Sequence, residues 1–242
     1  MCTVTIIPTG NQNFVLTSNR DEAPNRKALS PRVYEENGVK FMYPKDESSG
    51  GTWIGVSDKK RVVCVLNGGF AIHQRKSSYR KSRGLVAKDL MLAEDIVAEI
   101  DIYDFKDIEP FTIIIVDWKV NLKFYELIWD GQLAHLTDLP LEPKLWSFST
   151  LYSDEMKKER QDWFKKFKAY NELNAGSLLE FHKTTHIENT DYGVVMNRGF
   201  VKTTSVTQVV KIEDQLKMRF ESLESQEVSG EVLDFQESVV NE

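Results

Sequence analysis

Cysteine is nearly absent from this chain: 242 residues carry two, Cys2 and Cys64. So few thiols leave no disulfide framework of the kind that staples small secreted domains, and the usage fits a reducing compartment. Long apolar runs are missing as well. No stretch approaches the roughly 18 to 20 residues that span a bilayer, and no basic segment precedes an apolar one at the N-terminus. A cytoplasmic protein without integral membrane association is therefore expected. Positive charge is the scarcer sign, with 31 Lys and Arg against 37 Asp and Glu, a formal net charge of -6. That balance removes the electrostatic footprint expected of a nucleic-acid partner. A phosphate-cradling glycine loop, a dinucleotide fingerprint and a CxxCH haem attachment motif are also lacking. With 41% hydrophobic and 28% charged residues, the chain can bury one sizeable core, and recognition of a small-molecule ligand or substrate must be local.

Basic residues stop at Arg219, whereas acids recur from Glu221 to Glu242. Residues 225–242 are expected to form an acidic C-terminal tail, partly disordered, with Val232, Leu233, Phe235, Val239 and Val240 able to dock. Residues 1–224 are expected to form a single domain.

The two cysteines have different settings. Cys64 lies inside the apolar run Arg61 to Leu66, where packing accounts for it. Cys2 follows the initiator methionine. Removal of Met1 leaves a thiol and a free α-amine on one residue, a nucleophile that carries its own base, because an amine of pKa about 8 can take the proton of a thiol of about 8.5. The competing reading is an inert apolar residue at a strand start.

The neighbours of Cys2 follow from strand pattern. Cys2 to Pro8 and Phe14 to Asn19 flank the turn-rich Thr9 to Asn13, so they predict a hairpin. Its pairing brings Asn19-Arg20-Asp21-Glu22 beside the chain terminus. There Arg20 would favour a Cys2 thiolate and Asp21 would orient the terminal ammonium, although a surface ion-pair cluster explains the same charges. A second hairpin is predicted from Thr52 to Ser57 and Arg61 to Leu66, with Trp53 as pocket wall or core residue. It ends at Asn67-Gly68-Gly69, where glycine lets a backbone N–H approach a ligand and the Asn67 side chain is a candidate oxyanion donor, or a turn residue satisfying its own backbone.

Between the hairpins, residues 23–51 hold Pro24, Pro31, Pro44 and Gly50-Gly51 and are expected to be a long irregular binding excursion. An amphipathic helix is predicted from about Arg83 to Ile100 behind Ser82, and another from Asp154 to Tyr170 behind Ser153. Strands are expected at Phe111 to Val116, Lys123 to Trp129 and Gln132 to Leu136. After a short helix near Ser177 to His182, further strands are expected at Gly193 to Met196, Val201 to Ile212 and Leu216 to Leu223. Strand groups followed by helices predict an α+β fold of stacked, mainly antiparallel sheets with helices outside. His182 and His186 have a metal-pair spacing, but Lys183 stands where a zincin has Glu, so no metal is expected. Arg75, Lys76, Arg80, Lys81 and Arg83 form a basic cluster, a solvated loop by default and otherwise a place for ligand phosphates or carboxylates.

Met1-Cys2, Asn19-Arg20-Asp21-Glu22, Gly50-Gly51-Thr52-Trp53-Ile54-Gly55 and Arg83-Gly84-Leu85-Val86 together resemble the NRDE family, also called the transport and Golgi organisation 2 family, over roughly the first hundred residues. Farther on the likeness is general, and Phe200 to Ser205 lacks the arginine of the family's late segment. The resemblance implies an N-terminal nucleophile hydrolase-like fold, a four-layer αββα sandwich. By similarity to cysteine amidases of that fold it implies a hydrolase of linear amide bonds, with Cys2 as nucleophile and Arg20 and Asp21 in contact with it. Asn67 is expected to join these as a catalytic residue, and Glu22, Trp53, Gly68 and Arg83 are expected against the ligand. No cofactor is expected for that activity. A second implication is a non-catalytic carrier of haem or acyl-lipid, which would need a large apolar cavity in place of a polar site.

Overall fold

A computed structural model describes residues 2–148 and 152–235, with Cys2 and Phe148 described by their backbone alone. The chain opens with β1 (Cys2–Gly10) and β2 (Asn13–Glu22), joined by a turn in which Asn11 and Gln12 take positive φ. Four strands follow: β3 (Ala28–Glu36), β4 (Val39–Asp46), β5 (Ile54–Ser57) and β6 (Arg61–Asn67). Next come α1 (Arg83–Leu92) and α2 (Ile96–Ile102), then β7 (Phe111–Asp117), β8 (Lys123–Trp129), β9 (Ala134–Leu139) and β10 (Lys144–Phe148). The last third holds α3 (Asp154–Tyr170), α4 (Ala175–Thr184), β11 (Lys202–Ile212), β12 (Gln215–Ser222) and β13 (Val228–Asp234).

These strands form two antiparallel sheets, one ordered β10-β1-β2-β11-β12-β13 and the other β3-β4-β5-β6-β7-β8-β9. Alternation along each strand sends one side chain inward and the next outward. In β2, Phe14 and Leu16 enter the core between the sheets, with Ile54, Cys64 and Ile114 from the other sheet. Val15 points the opposite way, to Phe164 of α3 and Leu178 and Phe181 of α4. On the far side of the second sheet, Phe41, Val63 and Ile113 pack against Val86 and Leu90 of α1 and Ile96 of α2. The result is the expected four-layer αββα sandwich. Each fully buried Leu, Ile or Phe contributes about 1.5–3 kcal/mol to holding the layers together. Cys64 is fully buried in the central layer, as its apolar setting predicts.

Residues 23–51 are not an irregular excursion, since most of them form the β3–β4 hairpin. Pro31 and Pro44 both fall where the ladder register shifts, between Leu29↔Lys45 and Arg32↔Tyr43. The ladder is interrupted there, so neither proline removes a needed hydrogen bond. The single helix expected from 83 to 100 is two helices. Arg61 Nη1 donates to the carbonyls of Leu90 (3.1 Å) and Ala93 (2.6 Å), satisfying the end of α1, and Asp95 then caps α2 through the N–H groups of Val97 and Ala98. Gly193 to Met196 is not a strand; it is held by isolated bonds such as Val194 N–H to Thr185 O at 3.2 Å. The expected acidic tail divides at its start: Val228–Asp234 is β13, the edge strand paired with β12, while 236–242 lie outside the described residues. No helix among the described residues is long and apolar enough to cross a membrane.

Candidate functional site

A cleft of about 260 Å³ opens where the C-terminal ends of β2 and β6 meet the start of α1. Two sequence motifs meet on its wall for a steric reason. A Cβ placed on Gly51 would lie 2.8 Å from the Gly84 carbonyl carbon, and one on Gly84 would lie 2.8 Å from Thr52 O. Only glycine at both positions lets these backbones touch, and their contact sets Trp53 and Arg83 into one site.

Arg20, Glu22, Trp53, Asn67 and Arg83, five of the residues singled out in the sequence, line this cleft. Arg20 is buried, donates from Nη2 to Asp46 Oδ2 at 2.6 Å and from Nη1 to Arg26 O at 3.0 Å, and lies 4.6 Å from the Trp53 ring centroid. Asp46, which the sequence did not suggest, is thus the direct counter-charge of Arg20. Burial works against its charge, but the Ser49 backbone N–H and Arg26 outweigh that and hold its carboxyl below the usual range. Glu22 pairs with Arg26 at 3.1 Å. Asn67 pairs through its backbone with Phe111, and among the described residues its side-chain amide is engaged by no partner. Arg83 pairs with Glu109 at 3.2 Å, and burial lowers its pKa.

Gly68 departs from its expected place, and the basic cluster and Asp21 have settings that the sequence did not specify. Gly68 does not line the cleft. Its N–H donates to Pro110 O at 3.2 Å and its carbonyl accepts from Thr112 Oγ1 at 2.9 Å, so it offers no N–H to a ligand. The basic cluster is largely compensated: Lys76 pairs with Asp107, Arg80 with Asp104 and Lys81 with Asp89. Asp21 lies on the opposite face of the sheet from Arg20, because adjacent strand residues point opposite ways. Fully buried beneath α3, it accepts from Thr203 Oγ1 at 2.6 Å and from Tyr152 Oη at 2.9 Å. Burial raises the Asp21 carboxyl despite the nearby Arg160 guanidinium and these hydrogen bonds.

Cys2 faces Arg20 directly in the β1–β2 ladder and Phe148 in the β1–β10 ladder. The expected nucleophile, its thiol, lies outside the described residues.

Arg160 is the centre of the helix-side network. It donates to Thr3 Oγ1 (2.6 Å), Ser147 Oγ (2.9 Å), Tyr152 Oη (3.0 Å) and the carbonyls of Tyr192 (3.0 Å) and Gly193 (2.6 Å). The available sequence signal was a charged residue on the apolar stripe of α3. His182 sits in the same layer. Asn19 Nδ2 donates to the carbonyls of His182 and Val194, so Asn19 Oδ1 accepts from His182 Nδ1–H at 2.6 Å, and His182 Nε2 accepts from Thr5 Oγ1 at 2.8 Å. Burial, with Arg160 adding to it, pushes the imidazole down to about 3, and it stays neutral. His186 lies apart, exposed beside Glu188. Among the described residues no three His, Cys, Asp or Glu side chains converge to hold a metal.

The arrangement offers a polar cleft with an uncommitted amide donor, a strand start at its edge and a buried carboxylate behind. A family model described as Transport and Golgi organisation 2 matches residues 1–226. Among solved structures the chain is similar to an N-acylethanolamine-hydrolyzing acid amidase orthologue of Caenorhabditis elegans, with 13% identity, a TM-score of 0.59 and coverage of 86% of this chain and 92% of that one. It is also similar to a penicillin V acylase of Agrobacterium tumefaciens (11%, TM-score 0.56, 96% and 86%). A mutant conjugated bile acid hydrolase of Clostridium perfringens is a third neighbour (10%, TM-score 0.53, 98% and 97%). At these identities the likeness is one of fold, that of the N-terminal nucleophile hydrolases. A search of curated proteins gives no match.

Proposed function

For a chain that belongs to the Transport and Golgi organisation 2 family and has the N-terminal nucleophile hydrolase fold, we propose hydrolysis of a linear amide bond by Cys2 after removal of Met1. The observation that carries this reading is the β1–β2 register: Cys2 is opposite Arg20, a cleft-wall residue, with Asp21 next in the chain. The thiolate attacks the carbonyl carbon, the α-amine takes the thiol proton, and the Asn67 amide donates to the developing oxyanion. The ammonium then returns that proton to the leaving nitrogen as the C–N bond breaks, leaving a thioester. Water attacks the thioester, with the same amine as base, and regenerates the thiol. Asp21 orients the ammonium from behind the sheet. Arg20, already balanced by Asp46, keeps the cleft floor fixed more than it charges the thiolate.

Haem or acyl-lipid carriage calls for a large apolar cavity, whereas this cleft is walled by Arg20, Glu22, Asp46, Arg83 and other charged groups. The reading is tested by intact mass of the purified protein before and after an electrophilic amide probe. Loss of Met1 and a single adduct that disappears in Cys2→Ala are expected. Retained Met1, or the same adduct in Cys2→Ala, overturns it.

A further inference from the structure

The cleft is locally cationic in a chain whose net charge is -6. Arg20 and Arg26 are matched by Asp46 and Glu22, and Lys81 by Asp89 behind the wall. Arg75 and Arg83 are left to share one carboxylate, Glu109, at 3.8 and 3.2 Å, and His73 Nε2 takes the same carboxylate at 3.3 Å. Two permanent guanidinium charges thus meet a single acid at the edge of the proposed site. The first turn of α1, which supplies Ser82, Arg83 and Gly84 to the wall, contains no acidic residue. Its helix dipole therefore adds to the positive potential instead of being offset. Burial and the neighbouring Arg75 and Arg26 charges disfavour the Arg83 cation by more than Glu109 and Glu22 favour it, so an arriving anion would add to a compensation that is incomplete.

We infer that the substrate amide carries an oxyanion, a carboxylate or a phosphate, which Arg75 and Arg83 bind while the amide carbonyl lies toward Asn67. Guanidinium groups suit either anion through paired N–H donors. Arg75, with its side chain 79% exposed, is free to swing onto a bound group, whereas Arg83 at 19% is the fixed anchor. This inference rests on the amidase reading for the chemistry, but its test is binding.

The probes are three amides with one acyl chain: N-hexanoylglycine, N-hexanoyl-O-phosphoethanolamine and the neutral N-hexanoylethanolamine. Calorimetric titration should show at least one anionic amide binding about tenfold tighter than the neutral one, with the difference shrinking as salt rises. The stronger of the two anions separates carboxylate from phosphate recognition. Arg75→Gln, at an exposed position that does not threaten folding, should reduce the preference several-fold, and Arg83→Gln should reduce it further. Equal binding of charged and neutral amides, a preference unchanged in both variants, or no binding of either anion at millimolar concentration overturns the inference. Selective binding without cleavage leaves it standing and removes the amidase reading. Equal cleavage of all three amides does the reverse.

Discussion

Arg20 and Asp21 are neighbours in sequence and occupy opposite faces of one sheet, and the two faces treat charge differently. On the cleft face, Arg20 meets Asp46 at 2.6 Å, and Asp46 has Arg26 and Ser49 as further partners. On the helix face, Arg160 donates to five neutral oxygens, and its charge reaches Asp21 through the hydroxyl of Tyr152. The Asp46 carboxyl is lowered while the Asp21 carboxyl is raised. A direct ion pair beside an open cleft stabilises its carboxylate; a relayed one in a fully buried layer does not fully offset desolvation.

The largest expected effect follows from that difference. Arg160→Met leaves the Tyr192 and Gly193 carbonyls and the Thr3, Ser147 and Tyr152 hydroxyls without their donor and removes one of the charges that favour the Asp21 carboxylate, and should cost about 3–5 kcal/mol in urea unfolding. Arg20→Met leaves Asp46 still bonded to Arg26 and Ser49, so a loss of about 1–2 kcal/mol is expected. Equal losses would break the comparison.

The helix face should also show a pH signature. His182 is neutral in the fold, its pKa lowered from 6.5 to about 3 by burial. The unfolded chain therefore binds the extra proton first as acid is added. This stabilisation is fully present above pH 6.5 and is lost as pH falls through that value towards 3. The slope is about 1.4 kcal/mol per pH unit, or about 2 kcal/mol by pH 5. His182→Gln should flatten the stability profile between pH 6.5 and 5; an unchanged slope would mean that the imidazole is not held neutral.

What the sequence disclosed tracks how local each cause is. α3 begins and ends where Ser153 and the apolar period place it, because capping and amphipathic spacing act within one helix. The β1–β2 hairpin, and with it the Cys2–Arg20 pairing, follows from one turn and two apolar strands. Asp46 and Glu109 were not legible as site residues, since each acquires its role from an arginine far away in sequence, at contacts made by sheet pairing and by α1 docking. The β3–β4 hairpin was hidden by prolines that look prohibitive until the bulge accommodating them is known. A local signal was overlooked at Asp95, an N-cap followed by Glu99 in the first turn of α2. The sign alternation that separates Arg20 from Asp21 is written in the period of any strand, yet it gains meaning only when both faces are covered.

The smallest effect gives the sharpest test of the relay. Tyr152→Phe keeps the ring that packs 4.0 Å from the Arg160 guanidinium carbon and removes only the hydroxyl linking it to Asp21. Thr203 still donates to the carboxylate, so the expected loss is about 1 kcal/mol. A double-mutant cycle then distinguishes the faces. Tyr152→Phe and Arg160→Met share one network, and their combined loss should be smaller than the sum of the two. Tyr152→Phe and Arg20→Met have no common partner and lie on opposite sides of the sheet, so their losses should add within about 0.5 kcal/mol. Additivity in the first pair would mean that the Tyr152 hydroxyl carries no charge coupling, and that Asp21 is held against the cost of burial by its other partners, Thr203 among them, and not by the arginine behind it.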